Sequence, residues 1–148
     1  MTPPTTTREE AATLALRCLD LTSLNDGDTE ANIVALCQRA QSHYGNVAAV
    51  CVWPRFVALA RRLLPPSIAV AAVANFPDGA LDVDRAVADV RQIAIAGGNE
   101  VDVVLPYSAL LNGGPQAIQS CAAFLAAVRT ACGPLTLKVI LESGELKT

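Results

Sequence analysis

The amino-acid sequence predicts an α/β fold in which parallel β-strands alternate with α-helices. Short apolar runs alternate along the chain with longer segments whose apolar residues have helical spacing. The short runs are almost continuously apolar, which is typical of strands that helices cover on both faces of a parallel sheet. Proline stands just past three of these runs, at Pro54, Pro77 and Pro106, and marks where each strand ends.

Composition limits the class of protein. The chain has 148 residues, about one domain, and 52% of them are apolar, so it has enough surface to bury and is not intrinsically disordered. Only 4% are aromatic, so the apolar residues are mainly small or aliphatic and suit close packing of helices on a sheet. The net charge of −3 argues against a basic nucleic-acid surface, and we expect no nucleic-acid partner.

The chain also lacks the patterns of membrane and secreted proteins. Its apolar runs, such as 68–74, are far shorter than the roughly 20 residues of a membrane helix. The N-terminus carries Glu9 and Glu10 and has no secretory signal, so we expect a cytoplasmic protein without a membrane partner. The five cysteines form no C-x-x-C pair and there is one histidine, which favours free thiols and no metal site or cofactor.

The first half of the chain is divided by caps and prolines. Asp26 and Asp28 form a cap region before a helix that we expect to end at Gly45. Pro65 stops the following helix, because proline cannot continue one. We expect residues 1–13 to be a partly disordered lead, disordered over 1–7, and residues 14–148 to form the domain. The predicted order is helix 8–17, an additional first strand 18–23, helix 29–44, strand 46–52 and helix 55–64.

The second half repeats the alternation of strand and helix. Gly97 and Gly98 end one helix, and Gly133 with Pro134 ends the next. The predicted order is strand 68–76, helix 82–96, strand 100–105, helix 115–132 and strand 135–142. With the first short strand, this makes five strands. Polar residues collect at or near the strand ends, where chemistry takes place in parallel α/β proteins, and these are Asn75, Asp102, Lys138 and Glu142.

Two acids and a lysine lie within apolar strands. Strand alternation places Glu100 and Asp102 on the same face, and burying a carboxylate is costly unless it has a partner. Lys138 lies within the next strand, and Asp102 is its expected partner. Such a pair is either structural, or suited to proton relay or Schiff-base chemistry. Asp20 is a third acid in an apolar frame, with a cap or turn role as the alternative, and Cys51 is interpreted as a small buried residue.

Five segments, taken together and in this order, resemble the deoxyribose-phosphate aldolase family. The resemblance runs from about Leu14 to the last residue. The segments are L-D-L-T-S-L-N-D-G-D-T at 19–29, A-A-V-C-V-W-P-R-F at 48–56, N-F-P-D-G at 75–79, E-V-D-V-V-L-P-Y at 100–107 and L-K-V-I-L-E-S-G-E-L-K at 137–147.

The resemblance implies a (β/α)₈ TIM barrel and a class I, metal-free aldolase. It implies reversible cleavage of 2-deoxy-D-ribose 5-phosphate to acetaldehyde and D-glyceraldehyde 3-phosphate through a lysine Schiff base. A sugar phosphate is then the partner, a homo-oligomer is allowed, and the setting is cytoplasmic deoxyribonucleotide catabolism. By the same resemblance Asp102 is the catalytic proton-relay residue, and the residues lining the active site are Lys138, Asp20, Thr22 and Cys51.

The sequence departs from the family because it lacks two of the family's catalytic segments. The family's Schiff-base lysine lies in a K-T-S-T-G strand, and a second catalytic lysine lies in G-F-K-P-A-G-G; neither segment occurs here. The resemblance covers about the first three-fifths of a barrel that needs about 250 residues. We therefore expect an incomplete barrel of about five parallel strands, truncated after the fifth, with no Schiff-base lysine in this chain. The alternative function is a catalytically incomplete half-barrel that acts as a folding or interaction unit.

Overall fold

The computed structural model describes residues 7–147, and its centre is one parallel sheet. The strand order is β1-β4-β5-β6-β7, so each new strand adds to the same side and the prediction of an α/β fold is confirmed. A second, antiparallel pair, β2 with β3, forms a short hairpin. The strands are β1 (Asp20–Thr22), β2 (Gln41–Ser42), β3 (Gly45–Asn46), β4 (Ala49–Val52), β5 (Ala69–Ala74), β6 (Glu100–Val104) and β7 (Thr136–Ile140).

Helices connect the strands, and polar side chains cap several of them. Thr7 and Glu10 form a reciprocal capping box at the first helix, and Asp82 accepts a hydrogen bond from the backbone of Arg85. The helices are α1 (Arg8–Arg17), α2 (Glu30–Arg39), α3 (Val57–Leu63), α4 (Val83–Ile95), α5 (Tyr107–Asn112), α6 (Gly114–Cys132) and α7 (Ser143–Leu146), with a 3₁₀ turn at Pro54–Phe56. Among residues 7–147, no helix is both long enough and apolar enough to cross a bilayer.

Several predicted boundaries were wrong. The helix expected over 29–44 ends at Arg39, because the chain turns there into the β2–β3 hairpin, whose residues are exposed. The strand expected over 46–52 is accordingly divided between β3 and β4. The helix at Arg8–Arg17 and the first strand are confirmed. Of the residues 1–7 expected to be disordered, 1–6 lie outside the described residues, and the expectation was wrong for Thr7, which caps α1.

The two faces of the sheet have different surroundings. On β5, Val70, Ala72 and Ala74 belong to the large core between sheet and helices, which also contains Phe124. The intervening Ala71 and Val73 face the other way and pack with Cys51 in a smaller cluster. This second face is called the interior below, and across it Lys138 of one edge strand reaches Asp20 of the other, so the sheet is concave on this side. The alternation predicted for buried strands therefore separates a helix-side core from a face that is free to hold polar groups.

The loop after β5 is fixed by a close approach of two backbone segments. Gly79 has φ of +59°, and a Cβ atom there would lie 2.6 Å from the carbonyl oxygen of Leu105. The fully buried Asn75 holds the same region, since its Nδ2 donates to the carbonyl oxygens of Ala80 and Val104 at 2.9 and 3.0 Å. The end of β6, two residues past Asp102, is thereby tied to the end of β5.

Replacing Gly79 by alanine is expected to lower the free energy of unfolding by about 2–3 kcal/mol, because the strained φ adds to the backbone clash. Urea unfolding measures this. Gly27→Ala is the matched control: nothing lies within 4 Å of the position of its Cβ, so we expect a change of at most about 0.5 kcal/mol. Equal losses in the two variants would contradict this account of Gly79.

Candidate active site

Lys138 is the centre of a charged cluster in the interior. Its Nζ lies 2.5 Å from Oδ2 of Asp20, 3.0 Å from Oε2 of Glu100 and 3.1 Å from Oδ1 of Asp102. The parallel register pairs Lys138 of β7 directly with Asp102 of β6, so the predicted partnership is confirmed. Asp20 comes from β1 at the opposite edge of the sheet, and the sheet curls far enough for its two edge strands to share an ion pair.

The charge state of Lys138 follows from this surrounding. Burial alone lowers its pKa, but the hydrogen bond to Asp20 and the contacts with Glu100 and Asp102 act in the other direction, and the pKa is raised overall. Lys138 is therefore protonated at neutral pH. A protonated amine has no free lone pair and cannot attack a carbonyl, so this charge state does not suit a nucleophile.

Asp102 is the most buried acid of the cluster, with 14% of its side chain exposed. Burial raises its pKa more than Lys138 lowers it, so the net pKa lies above the ordinary value for aspartate. Oδ2 accepts a hydrogen bond from Sγ of Cys51 at 3.6 Å, whereas Oδ1 is buried beside Lys138 without an aligned hydrogen bond. A buried carboxyl with a raised pKa is suited to taking up and returning a proton.

The remaining predicted residues lie around this centre at different distances from the lysine. Cys51 of β4 is 3% exposed, and burial together with the nearby Asp102 raises the pKa of its thiol to about 12. Thr22 pairs in register with Cys51, but it is exposed and its hydroxyl donates to the carbonyl oxygen of Asp20 at 3.2 Å. The structure thus brings Asp20, Cys51, Asp102 and Lys138 together and leaves Thr22 at the rim.

Glu100 is a member of the cluster that the sequence did not identify as a site residue. Its position two residues before Asp102 placed it on the same strand face, and this spacing was the available signal. With Glu100, three carboxylates surround one ammonium group. Among residues 7–147, no group of histidine, cysteine, aspartate and glutamate side chains is arranged to bind a metal ion.

Lys138→Met is expected to lower the free energy of unfolding by about 1–2 kcal/mol at neutral pH, less than for a fully buried pair because the side chain is 37% exposed. Folding raises the pKa of Lys138, so its contribution is complete below the ordinary value of 10.5 and is lost as the pH rises through the folded pKa. Urea unfolding at increasing pH should show the free energies of unfolding of the wild type and of Lys138→Met converging above pH 10.5. The exposed Lys147→Met is the control; a difference that does not depend on pH would contradict the role of the ammonium charge.

The chain is similar to deoxyribose-phosphate aldolases in sequence and structure. It is 48% identical over 141 residues to the deoxyribose-phosphate aldolase of Agrobacterium fabrum, covering 93% of this chain and 53% of that protein. A Coccidioides immitis protein assigned as a deoxyribose-phosphate aldolase superposes with a TM-score of 0.79 at 30% identity, over 90% of this chain and 51% of that one. The tetrameric deoxyribose phosphate aldolase of Aeropyrum pernix, at 24% identity, shares the fold with a TM-score of 0.67 over 94% and 55%.

These matches define what the chain corresponds to. It spans about half the length of the relatives it matches, which are TIM-barrel aldolases. The family model matches residues 14–148 and therefore includes all five strands of the sheet and every member of the Lys138 cluster. The chain belongs to the DeoC/LacD family of aldolases.

Proposed function

We propose that this chain carries the proton-transfer residues of a deoxyribose-phosphate aldolase. The reaction is the reversible cleavage of 2-deoxy-D-ribose 5-phosphate to acetaldehyde and D-glyceraldehyde 3-phosphate. The observation that supports it is the largely buried Asp102 beside a protonated lysine in the interior of a parallel sheet. Residues 14–148 would form the first part of the barrel, preceded by the lead at 1–13.

The proposed chemistry assigns different roles to the carboxyl and the amine. Cleavage of the carbon–carbon bond removes the proton of the substrate hydroxyl, and the enamine that remains must gain a proton at the carbon next to the imine. Asp102 is the group that would move this proton. Lys138 is held protonated by three acids, so the Schiff-base lysine would come from a segment outside this chain. The ammonium group of Lys138 would stabilise the negative charge of the surrounding carboxylates.

We extend the proposal to the setting of the enzyme. All five cysteines are free thiols, and this supports a reducing compartment such as the cytoplasm, where the enzyme would act in deoxyribonucleotide catabolism. The relative from Aeropyrum pernix is described as tetrameric, and this supports a homo-oligomer.

A chimera tests the proposed function. It joins this chain to the remaining C-terminal half of the Agrobacterium fabrum relative, and release of acetaldehyde from 2-deoxy-D-ribose 5-phosphate is followed. We expect turnover by the chimera and none by either half alone. A folded chimera that cleaves another sugar phosphate and leaves deoxyribose 5-phosphate unchanged would contradict the proposed substrate.

The alternative function, a half-barrel that acts as a folding or interaction unit, is favoured by the two edges of the sheet. Within residues 7–147, β1 and β7 each pair with one neighbouring strand, and such edges bind further strands readily. As an interaction unit, the chain would associate without catalysing a reaction. Sedimentation of this chain, alone and mixed with the separate C-terminal half, distinguishes the two functions: association without restored turnover supports the alternative.

A further inference from the structure

Cys51 contacts the proposed proton-transfer residue but has no role in the reaction described above. Its Sγ lies 3.6 Å from Oδ2 of Asp102, and the two side chains meet across β5, the strand between β4 and β6. We propose that Cys51 is a positioning residue whose thiol donates a hydrogen bond to Asp102 and fixes the orientation of its carboxyl group. The inference rests on the proposed function of Asp102 in proton transfer.

The two carboxyl oxygens of Asp102 have different neighbours, so the hydrogen bond from Cys51 can determine which oxygen faces which neighbour. Oδ2 is occupied by the thiol, whereas Oδ1 lies 3.1 Å from Nζ of Lys138 without an aligned hydrogen bond. A carboxyl group held through Oδ2 keeps Oδ1 beside Nζ of Lys138. Without the thiol, rotation of the carboxyl group would exchange the two oxygens.

The surroundings of Cys51 keep its thiol in the donating form. Burial, and then the negative charge of Asp102, raise the pKa of the thiol to about 12, so the thiol is protonated at neutral pH. Ala71 and Val73 of β5 pack on Cys51 and hold its side chain in place. A thiol is a weak donor, but a hydrogen bond to an ionised group is stronger than one between neutral groups.

The test is the titration of Asp102, followed by NMR of a ¹³C-labelled carboxyl group in the intact chain without substrate. The charged and titratable groups that face Asp102 are Lys138 on β7, Asp20 on β1, Cys51 on β4 and, through Lys138, Glu100 on its own strand. A hydrogen bond to the ionised form lowers a pKa. Its removal in Cys51→Ala and Cys51→Val should therefore move the titration of Asp102 to higher pH.

Two further variants separate positioning from packing. Cys51→Ser keeps a donor of similar size, so Asp102 should titrate at or below the wild-type pH. Cys37→Val changes a buried cysteine in the helix-side core and should leave the titration unchanged. The proposal is overturned if both the alanine and valine variants titrate as the wild type, or if the serine variant titrates as the alanine variant does. Because the readout involves no turnover, its failure is distinct from inactivity of the chimera.

Discussion

An Asp102→Asn variant of the chimera is expected to lose about 10²–10⁴-fold in kcat, the usual contribution of a general acid–base group. The amide keeps the shape of the side chain, and its oxygen can still accept a hydrogen bond from the thiol of Cys51, but it cannot take up a proton. Schiff-base formation should persist, because the nucleophile lies elsewhere. Single-turnover kinetics, together with borohydride trapping of the imine, measures the two steps separately.

Glu100→Gln is the matched control for this substitution. Glu100 lies 3.0 Å from the same ammonium group, so the variant also removes one negative charge next to Lys138. We expect a loss below about tenfold, since only an electrostatic contact is weakened. If Asp102→Asn folded normally and kept near-normal turnover, Asp102 would be structural. Equal large losses in both variants would assign the effect to the electrostatics of Lys138 rather than to proton transfer.

Borohydride trapping on this chain by itself is expected to give no stoichiometric adduct. The chain contains two lysines, Lys138 and Lys147. Lys138 is held protonated by three carboxylates, and an imine forms only from the neutral amine. With acetaldehyde in slight molar excess over the protein, mass spectrometry should show stoichiometric ethylation in the chimera and at most trace labelling in the chain.

A Lys147→Arg variant removes the exposed lysine and serves as the control for trace labelling. A stoichiometric adduct on Lys138 in that variant would overturn the assignment. It would make Lys138 the nucleophile, and its carboxylate partners would then have to release the ammonium during the reaction.

The strands and the pairing of Asp102 with Lys138 were predictable because they depend on local patterns. Buried parallel strands are continuous apolar runs, and two-residue alternation placed Glu100 and Asp102 on one face. The hairpin after Arg39 was not predicted, because its exposed residues have no apolar periodicity that separates them from the preceding helix. The Asp20–Lys138 contact was not predicted either, since it depends on the curvature of the whole sheet, which no local spacing encodes.

The charge of Asp102 shows a second limit of sequence reasoning. A neighbouring lysine predicts that the carboxyl stays ionised, and Lys138 does lower its pKa. Burial has the larger effect in the opposite direction, and the extent of burial depends on how neighbouring strands cover the side chain. The family-level resemblance placed both residues in the site, but their protonation required the three-dimensional structure.

The ion pair between the two edge strands has a consequence for the order of folding. Asp20 and Lys138 are separated by 118 positions, so their contact closes a long loop and requires every intervening strand–helix unit. The parallel strand pairs join segments much nearer in sequence and can form earlier. We expect Asp20→Asn to accelerate unfolding and to leave the folding rate almost unchanged, as stopped-flow measurements in urea would show. The charged cluster would then form late in folding and contribute mainly to slowing the unfolding of the curved sheet.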